Sequence, residues 1–324
     1  MAFSEILSLF YTSLAISLPT FGWVVLGLVL ARAGALTPSL NDRISNLSFR
    51  FCLPVMLFSG AAQVDYRTMD NAVYLLAGVL TALLVLGLSW VWSRWRGHTL
   101  PQQGIFVQAA FRSNLAIIGL ALAVAAYGDK AAPLAALPVA VMTVLYNVLA
   151  VWVLNVTHGA ETGIGRVALG IARNPLVLGI SAGMALSLSP LQTPALLEPV
   201  GRGLSAFFLP LMLVCIGGSM DLSRLYRADV FAWEASAWRL VVSPTLGVLL
   251  ALAMGVRGES LGVLFLLLAT PMAVSAYVMV VAARGDGVLA ANITVLSTLL
   301  SIVTITGGFF LLSLLGLVGE LQVR

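Results

Sequence analysis

Charged residues are scarce in this sequence. Only 9% of its 324 residues are charged, 60% are hydrophobic, and the mean hydropathy is +1.03. A water-soluble domain of this size is charged at about a quarter of its positions. Because so little polar surface cannot cover a soluble globule, the composition predicts an integral membrane protein.

Reactive and metal-binding residues are scarce as well. The two cysteines, Cys52 and Cys215, both lie in apolar stretches, which argues against a disulfide framework. His98 and His158 stand alone in or beside predicted loops, and the sequence has no HExxH, GxSxG or Walker A motif. We therefore expect no enzymatic activity, no cofactor and no metal. The net charge of +4 is spread over isolated basic residues, so nothing favours a nucleic-acid partner.

Apolar runs fill most of the chain. A helix needs roughly 20 mainly apolar residues to cross about 30 Å of hydrocarbon. Ten runs qualify as spans: 8–31, 42–62, 70–93, 101–127, 132–156, 174–190, 197–219, 229–255, 260–283 and 287–317. Because a membrane β-barrel would alternate polar and apolar residues, the continuous runs predict an all-α integral membrane protein with ten transmembrane helices.

Basic residues are divided unevenly between the two sides of the membrane. The loops after spans 1, 3, 5, 7 and 9 contain Arg32, Arg43, Arg94, Arg96, Arg166, Arg173, Arg224, Arg227 and Arg284. The opposite side contains Arg67, Lys130, Arg202, Arg257 and Arg324. Since cytoplasmic loops are enriched in Lys and Arg, we predict a multi-pass protein of the cell (inner) membrane with both termini outside.

The two halves of the sequence resemble each other. LPVML at 53–57 corresponds to LPLML at 209–213, 156 residues later (209 − 53). AAYGD at 125–129 corresponds to AARGD at 282–286, 157 residues later (282 − 125). Each half has five spans, and because five is odd the second copy inserts in the opposite orientation. The expected first repeat, cytoplasmic linker and second repeat are 1–157, 158–173 and 174–324.

Span 4 carries Arg112, Ser113 and Asn114 at membrane depth. A charge there costs a few kcal/mol or more, so such residues usually face a cavity or a partner. In one interpretation the helix breaks near Asn114, and its amide and free backbone N–H groups bind an anion. In the other, Arg112 snorkels to the surface and Asn114 only bonds to a neighbouring helix.

Span 9 has a break signal at the corresponding position. Pro271 lacks a backbone donor and pushes Thr270 away from helical geometry. It lies 157 residues after Asn114 (271 − 114), which is the offset of the repeat. Interrupted helices in corresponding positions of two repeats point to a binding site at the membrane midplane. We therefore predict that the two breaks meet there.

Other polar residues at membrane depth are weaker candidates for substrate contacts. Tyr146 and Asn147 either line the cavity or bridge two helices, and Ser275 follows the break in span 9. Ser59 follows Pro54, and we interpret the matching prolines Pro54 and Pro210 as equivalent kinks in spans 2 and 7.

Glu234 and Arg239 lie in span 8, five residues apart. Residues on one helix face are three or four apart, so we expect Arg239 to pair elsewhere. Glu234 is a candidate for proton coupling.

Short motifs across the whole chain carry a family resemblance. They are LP at 53–54, LFSG at 57–60, FRSN at 111–114, YNV at 146–148, LP at 209–210, TP at 270–271 and STLLS at 297–301. Together they resemble the bacterial type of the auxin efflux carrier family, which includes malonate and malate permeases. The resemblance implies two inverted five-helix repeats with broken, crossing helices 4 and 9. It also implies a scaffold, a mobile transport unit, elevator-type alternating access and frequent dimerisation.

The resemblance makes Asn114 the crossover asparagine near a substrate carboxylate. Many family members have a proline soon after the glycine that corresponds to Gly119, whereas here Leu120 follows. Span 4 must therefore break through its polar residues and Gly119.

The leading hypothesis is a secondary transporter of small organic anions, mono- or dicarboxylates such as malonate, malate or auxin-like acids. Asn114 and backbone N–H groups near 113–115 and 270–273 would hold the anion, with positive potential from Arg112. The alternatives are a sodium-coupled organic anion symporter of the bile-acid type on the same fold and a membrane-embedded enzyme. The coupling ion, H⁺ or Na⁺, is left open, and a homodimer is expected.

Overall fold

The computed structural model describes residues 3–63, 72–159, 165, 169, 172–173, 175–190, 197–223 and 229–319. Within these ranges all regular structure is helical, apart from an isolated antiparallel bridge between Ser113 and Met272. The protein is an all-helical, multi-pass membrane protein.

The α-helices are named in chain order. They are α1 (Phe3–Arg32), α2 (Pro38–Leu47), α3 (Leu53–Ala62), α4 (Ala72–Trp95), α5 (Leu100–Phe111), α6 (Leu120–Tyr127), α7 (Ala131–His158), α8 (Pro175–Leu188), α9 (Leu197–Gly218), α10 (Val230–Ala237), α11 (Ser243–Ala253), α12 (Gly258–Leu268), α13 (Val274–Ala282) and α14 (Gly287–Leu314). π-Helical turns at Ser48–Cys52 and Trp238–Val242 join α2 to α3 and α10 to α11, and another at Leu115–Gly119 leads into α6.

Among the described residues, seven of the ten predicted spans are helical segments long and apolar enough to cross a membrane. They are Ile6–Arg32, Pro38–Ala62, Val73–Trp95, Pro133–His158, Pro199–Gly218, Val230–Ala253 and Gly287–Leu314. Spans 4, 6 and 9 instead contain the shorter apolar helices Leu115–Tyr127, Val177–Leu188 and Gly258–Leu268. Spans 4 and 9 fall short because each is interrupted in its interior.

Close backbone contacts tie α1 to α9 and α3 to α8. A Cβ atom on Gly27 would lie 1.9 Å from the Val214 carbonyl oxygen, and one on Gly217 would lie 1.8 Å from the Val24 carbonyl oxygen. Small residues allow membrane helices to pack this closely, where van der Waals contact and not the hydrophobic effect drives association. Helices α1, α2, α3, α8 and α9 therefore form one packed group, which we call the glycine-packed group.

The remaining helices pack mainly on one another. α4 contacts α5 and α11, α5 contacts α7, and α14 contacts α10 and α13. This second group, α4–α7 with α10–α14, contains both interrupted spans. It meets the glycine-packed group chiefly where α1 lies against α14 and α3 against α7.

Pro54 and Pro210 differ in local structure, although the repeat predicts equivalent kinks. Pro54 follows the π-helical turn at Ser48–Cys52, whereas Pro210 lies inside the uninterrupted helix α9. Most of the predicted linker 158–173 lies outside the described residues. The same is true of several basic residues used to predict the orientation: Arg67, Arg166, Arg224, Arg227 and Arg324.

Candidate functional site

Span 4 breaks where its polar residues begin. Helix α5 ends at Phe111, and Arg112 is extended, with φ −89° and ψ 92°. Asn114 is also non-helical, with φ −85° and ψ 67°, before the π-helical turn starts at Leu115. The break therefore forms without a proline.

Gly119 has a different role from the one that the sequence predicts. Its torsion angles, φ −61° and ψ −46°, are helical, so it does not break the helix. A Cβ atom at this position would lie 2.9 Å from Leu267 Cδ2 and 3.3 Å from Leu267 Cα. The glycine is needed because the π-helical turn packs directly on α12.

Span 9 breaks between α12, which ends at Leu268, and α13, which begins at Val274. Pro271 lies in the gap and removes one backbone donor. Thr270 is buried, and its hydroxyl donates to the Leu267 carbonyl at 3.0 Å, which satisfies one acceptor at the end of α12. Proline and this side-chain bond together end the first half-helix.

The two breaks pair with each other, and we call residues 112–114 and 269–273 the crossover. Around the bridge between Ser113 and Met272, Asn114 N donates to Pro271 O at 3.0 Å and Ala273 N donates to Arg112 O at 3.2 Å. An unpaired backbone group in lipid costs several kcal/mol, so this pairing lets both helices break inside the membrane.

The pairing corrects one sequence-based expectation. Backbone N–H groups of the crossover were candidates for binding an anion, but those of Asn114 and Ala273 donate to carbonyls of the opposite break. The N–H of Met272 donates to the Ser297 hydroxyl of α14 at 3.2 Å. These three donors hold the crossover together and are not available to a ligand.

Arg112 is at the centre of a polar cluster that joins three helices. Its guanidinium donates to Asn147 Oδ1 at 2.7 Å, to Ser275 Oγ at 3.1 Å and to the Tyr146 carbonyl at 3.3 Å. It also contacts Met279 Sδ at 3.1 Å. The side chain does not snorkel, since Arg112 is only 6% exposed. In the described part of the chain none of its acceptors is a carboxylate, so no anion among these residues accepts a hydrogen bond from it.

Ser113 and Asn114 complete the cluster. The Ser113 hydroxyl lies 3.2 Å from the Tyr146 hydroxyl, and the Tyr146 ring packs against Phe111. Asn114 is buried, and its side-chain amide makes no hydrogen bond to any residue that the structure describes. That amide is therefore free to bind a ligand.

One side of the cluster reaches the protein surface. Ser275 is exposed and Asn147 is half-buried, with exposed Val148 and Val278 beside them. The partners of Arg112 therefore reach the protein surface on this side. The π-helical turn at Leu115 and helix α13 both begin here, and helix N-termini carry partial positive charge.

Glu234 and Arg239 lie in different environments and do not bond to each other. Glu234 Oε1 accepts from Trp92 Nε1 at 3.0 Å and from Arg96 Nε at 2.8 Å, and Oε2 lies 3.7 Å from His98 Nε2. This group joins the end of α4 to α10 and includes no crossover residue. Arg239 is completely buried beside the crossover.

Ser59 links two helices, α3 and α9, by a hydrogen bond in the described part of the chain. Its hydroxyl donates to the Leu197 carbonyl at 2.6 Å, and Gln63 Nε2 donates to the Ser59 hydroxyl at 3.2 Å. These contacts join α3 to the start of α9 and do not involve the crossover.

Two contacts were not among the sequence candidates. Met279 contacts Arg112 and lies four residues after Ser275, a spacing that puts both on one face of α13. That spacing was a usable signal. Ser297, which bonds to Met272, gave no such signal because its partner is fixed only by tertiary packing.

Comparisons with known proteins give matches along most of the chain. A family model described as membrane transport protein matches residues 14–164 and 163–308. A protein of Rhizobium meliloti (strain 1021), provisionally named a malonate transporter, is 26% identical over 302 residues, which cover 91% of this chain and 94% of that protein. An uncharacterized transporter of Methanothermobacter thermautotrophicus (strain Delta H) is 21% identical over 283 residues, covering 87% and 92%. The similarity therefore extends well beyond the crossover.

Proposed function

We propose that this chain, which belongs to the membrane transport protein family, moves small organic anions across the membrane by secondary transport. The protein is a transporter and not an enzyme. We propose mono- or dicarboxylates, such as malonate, malate or auxin-like acids, as its substrates. The relative named for malonate supports this class.

The observation that carries the proposal is the uncompensated charge of Arg112. This guanidinium is buried, bonds only to neutral acceptors among the described residues, and lies where two half-helices begin. A charge at membrane depth is costly unless it is paired. A bound carboxylate would supply the missing counter-charge and accept charge-assisted hydrogen bonds from the guanidinium.

The other polar groups of the cluster would orient the anion. The free amide of Asn114 would donate to a carboxylate oxygen, and the exposed Ser275 hydroxyl and the Asn147 amide would bind beside it. Tyr146 and Ser113 would form the polar wall behind the anion. Thr270 and Pro271 act through the backbone, because they end α12 and set the crossover.

We further propose ten transmembrane helices in two inverted repeats, 1–157 and 174–324, joined by a linker at 158–173. Two breaks separated by 157 residues (271 − 114), and paired with each other, support this plan. The glycine-packed group would be the fixed scaffold, and the group that contains the crossover would move as an elevator. Localisation to the cell (inner) membrane with both termini outside, and a homodimer, are part of the same proposal.

Substitution of Asn114 by alanine tests the site. The Asn114→Ala variant loses the one free side-chain amide in the crossover, so we expect uptake of radiolabelled malonate into proteoliposomes to fall at least about tenfold. Asn46→Ala is the matched control, because Asn46 is exposed and bonds only to its own helix. Thermal melting in detergent verifies that both variants are folded. A folded Asn114→Ala protein with wild-type uptake would rule out this site.

A further inference from the structure

A second buried arginine lies behind the crossover. Arg239 is in the π-helical turn between α10 and α11 and is 0% exposed. Its guanidinium donates to the Ala110 carbonyl at 2.9 Å, to the Ser243 hydroxyl at 3.1 Å and to the Leu268 carbonyl. All of these acceptors are neutral oxygen atoms, and no carboxylate of the described ranges accepts a hydrogen bond from Arg239.

The two carbonyl groups are those that the breaks leave without helical donors. In a continuous helix a carbonyl accepts from the N–H four residues later, so Ala110 would bond to Asn114 and Leu268 to Met272. Both N–H groups are diverted, the first across the crossover and the second to α14. Ala110 and Leu268 lie at the C-terminal ends of α5 and α12, where helices carry partial negative charge.

Convergent oxygen atoms of this kind form a cation site in other transporters. Half-helix C-terminal ends and unwound carbonyls coordinate the coupling cation where discontinuous helices meet. Here two such carbonyls and a hydroxyl are all occupied by one covalently attached cation. The π-helical turn supports a special role for this position, because such turns are rare and often occur at functional sites.

We infer that Arg239 is a built-in cation of the crossover, which takes the place of a dissociable coupling ion, so that anion binding and transport require no sodium. This inference rests on the proposed anion transport and specifies its ion requirement. Arg239 acts as a positioning residue, because it holds the ends of α5 and α12 together and contacts the Arg112 cluster through the Tyr146 side chain.

The ion requirement of the wild-type protein is tested directly. Uptake of radiolabelled malonate into proteoliposomes is measured with sodium, potassium or choline as the only cation. We expect the same rate in all three, and a requirement for sodium would overturn the inference. If malonate is not taken up with any cation, the proposed function fails for this acid. The next experiment still decides the role of Arg239, because it needs no anion.

Removal of the Arg239 side chain should leave the carbonyl and hydroxyl oxygens free to bind a dissolved cation. We expect Arg239→Ala in choline buffer to melt at a lower temperature than the wild type, and added guanidinium or sodium at millimolar concentration to restore part of the loss. Uptake by this variant should fall at least about tenfold in choline and recover with the same cations. Arg239→Lys retains the charge and should remain independent of sodium.

Arg96→Ala is the matched control, since Arg96 is a partly exposed arginine paired with Glu234 at the end of α4. It should show no response to guanidinium or sodium. Purification of Arg239→Ala only in the presence of guanidinium would also support the inference. The inference is overturned if Arg239→Ala responds no more than Arg96→Ala, or if no cation restores it while Arg239→Lys folds.

Discussion

Arg112 and Arg239 are both buried at the crossover, and in the described residues both bond only to neutral acceptors. The two arginines differ in the groups that accept their hydrogen bonds. Arg112 faces side chains that reach the protein surface, among them the exposed Ser275. Arg239 faces two backbone carbonyls inside the protein, so its charge is used to stabilise the breaks. We therefore propose that the charge of Arg112 binds the substrate and that the charge of Arg239 stabilises the fold.

His98 gives a residue-scale prediction about acid stability. It lies between α4 and α5, beside Glu234, Arg96 and Asp229. Burial lowers the pKa of His98 below its ordinary 6.5, and the charge of Glu234 only partly opposes this. As the pH falls through 6.5, His98 takes up a proton in the unfolded chain before it does so in the folded chain. Acidification through 6.5 therefore reduces the stability of the folded state. We expect the melting temperature to fall less between about pH 7.5 and about pH 5.5 in His98→Gln than in the wild type.

The control for this measurement is Asn46→Ala, which removes an exposed side chain that does not titrate. It should show the same pH dependence as the wild type. If His98→Gln melts with an undiminished pH dependence, His98 does not carry a proton-linked cost of folding.

For individual residues, the sequence indicated where polar side chains lie along the spans better than it indicated which groups they bond to. Arg112, Ser113 and Asn114 could be placed at membrane depth because apolar residues surround them. The contact of Arg112 with Ser275 agrees with the prediction that the breaks meet, whereas the position of Tyr146 was left open between lining a cavity and bridging two helices. The diversion of backbone N–H groups could not be predicted, because each acceptor comes from a distant segment that only tertiary packing brings close.

Among the helices, the close contact of α1 with α9 leaves no room for a side chain at Gly27. Gly27→Ala would place a methyl group 1.9 Å from the Val214 carbonyl oxygen, so α1 and α9 must move apart. Overpacking of this kind costs about 1–3 kcal/mol, so we expect a clearly lower melting temperature.

Gly22→Ala is the internal control, because it lies on the same helix and has nothing within 4 Å of the added atom. It should melt close to the wild type. Equal melting temperatures for Gly22→Ala and Gly27→Ala would contradict the close packing of α1 on α9.

Element boundaries were predicted well where apolar runs are uninterrupted and less well where they are broken. Pro271 signalled the break in span 9 through its missing N–H. The break in span 4 has no such marker, and Gly119, the expected helix breaker, is helical because its lack of a side chain serves packing on α12. Sequence alone does not distinguish a glycine that breaks a helix from a glycine that allows close helix packing.

In the molecule as a whole, the two groups of helices differ in what they contain. The glycine-packed group contains close backbone contacts, whereas the other group contains both breaks, both buried arginines and the accessible polar cluster. The membrane class followed from composition, because a chain with 9% charge cannot cover a soluble surface, and the helical class followed from its continuous apolar runs. Pairing of the breaks explains how such a chain can bring a charged site into the membrane.

We propose that an anion binds beside Arg112. The most direct test is the thermal stability of the purified protein with a series of mono- and dicarboxylates, each with and without sodium. A ligand at about 100 times its Kd stabilises the folded state by about 2.7 kcal/mol, which raises the melting temperature measurably. We predict such a shift with at least one carboxylate in sodium-free buffer, and its loss in Arg112→Ala. The absence of a shift with every carboxylate, or the same shift in Arg112→Ala, would contradict the claim.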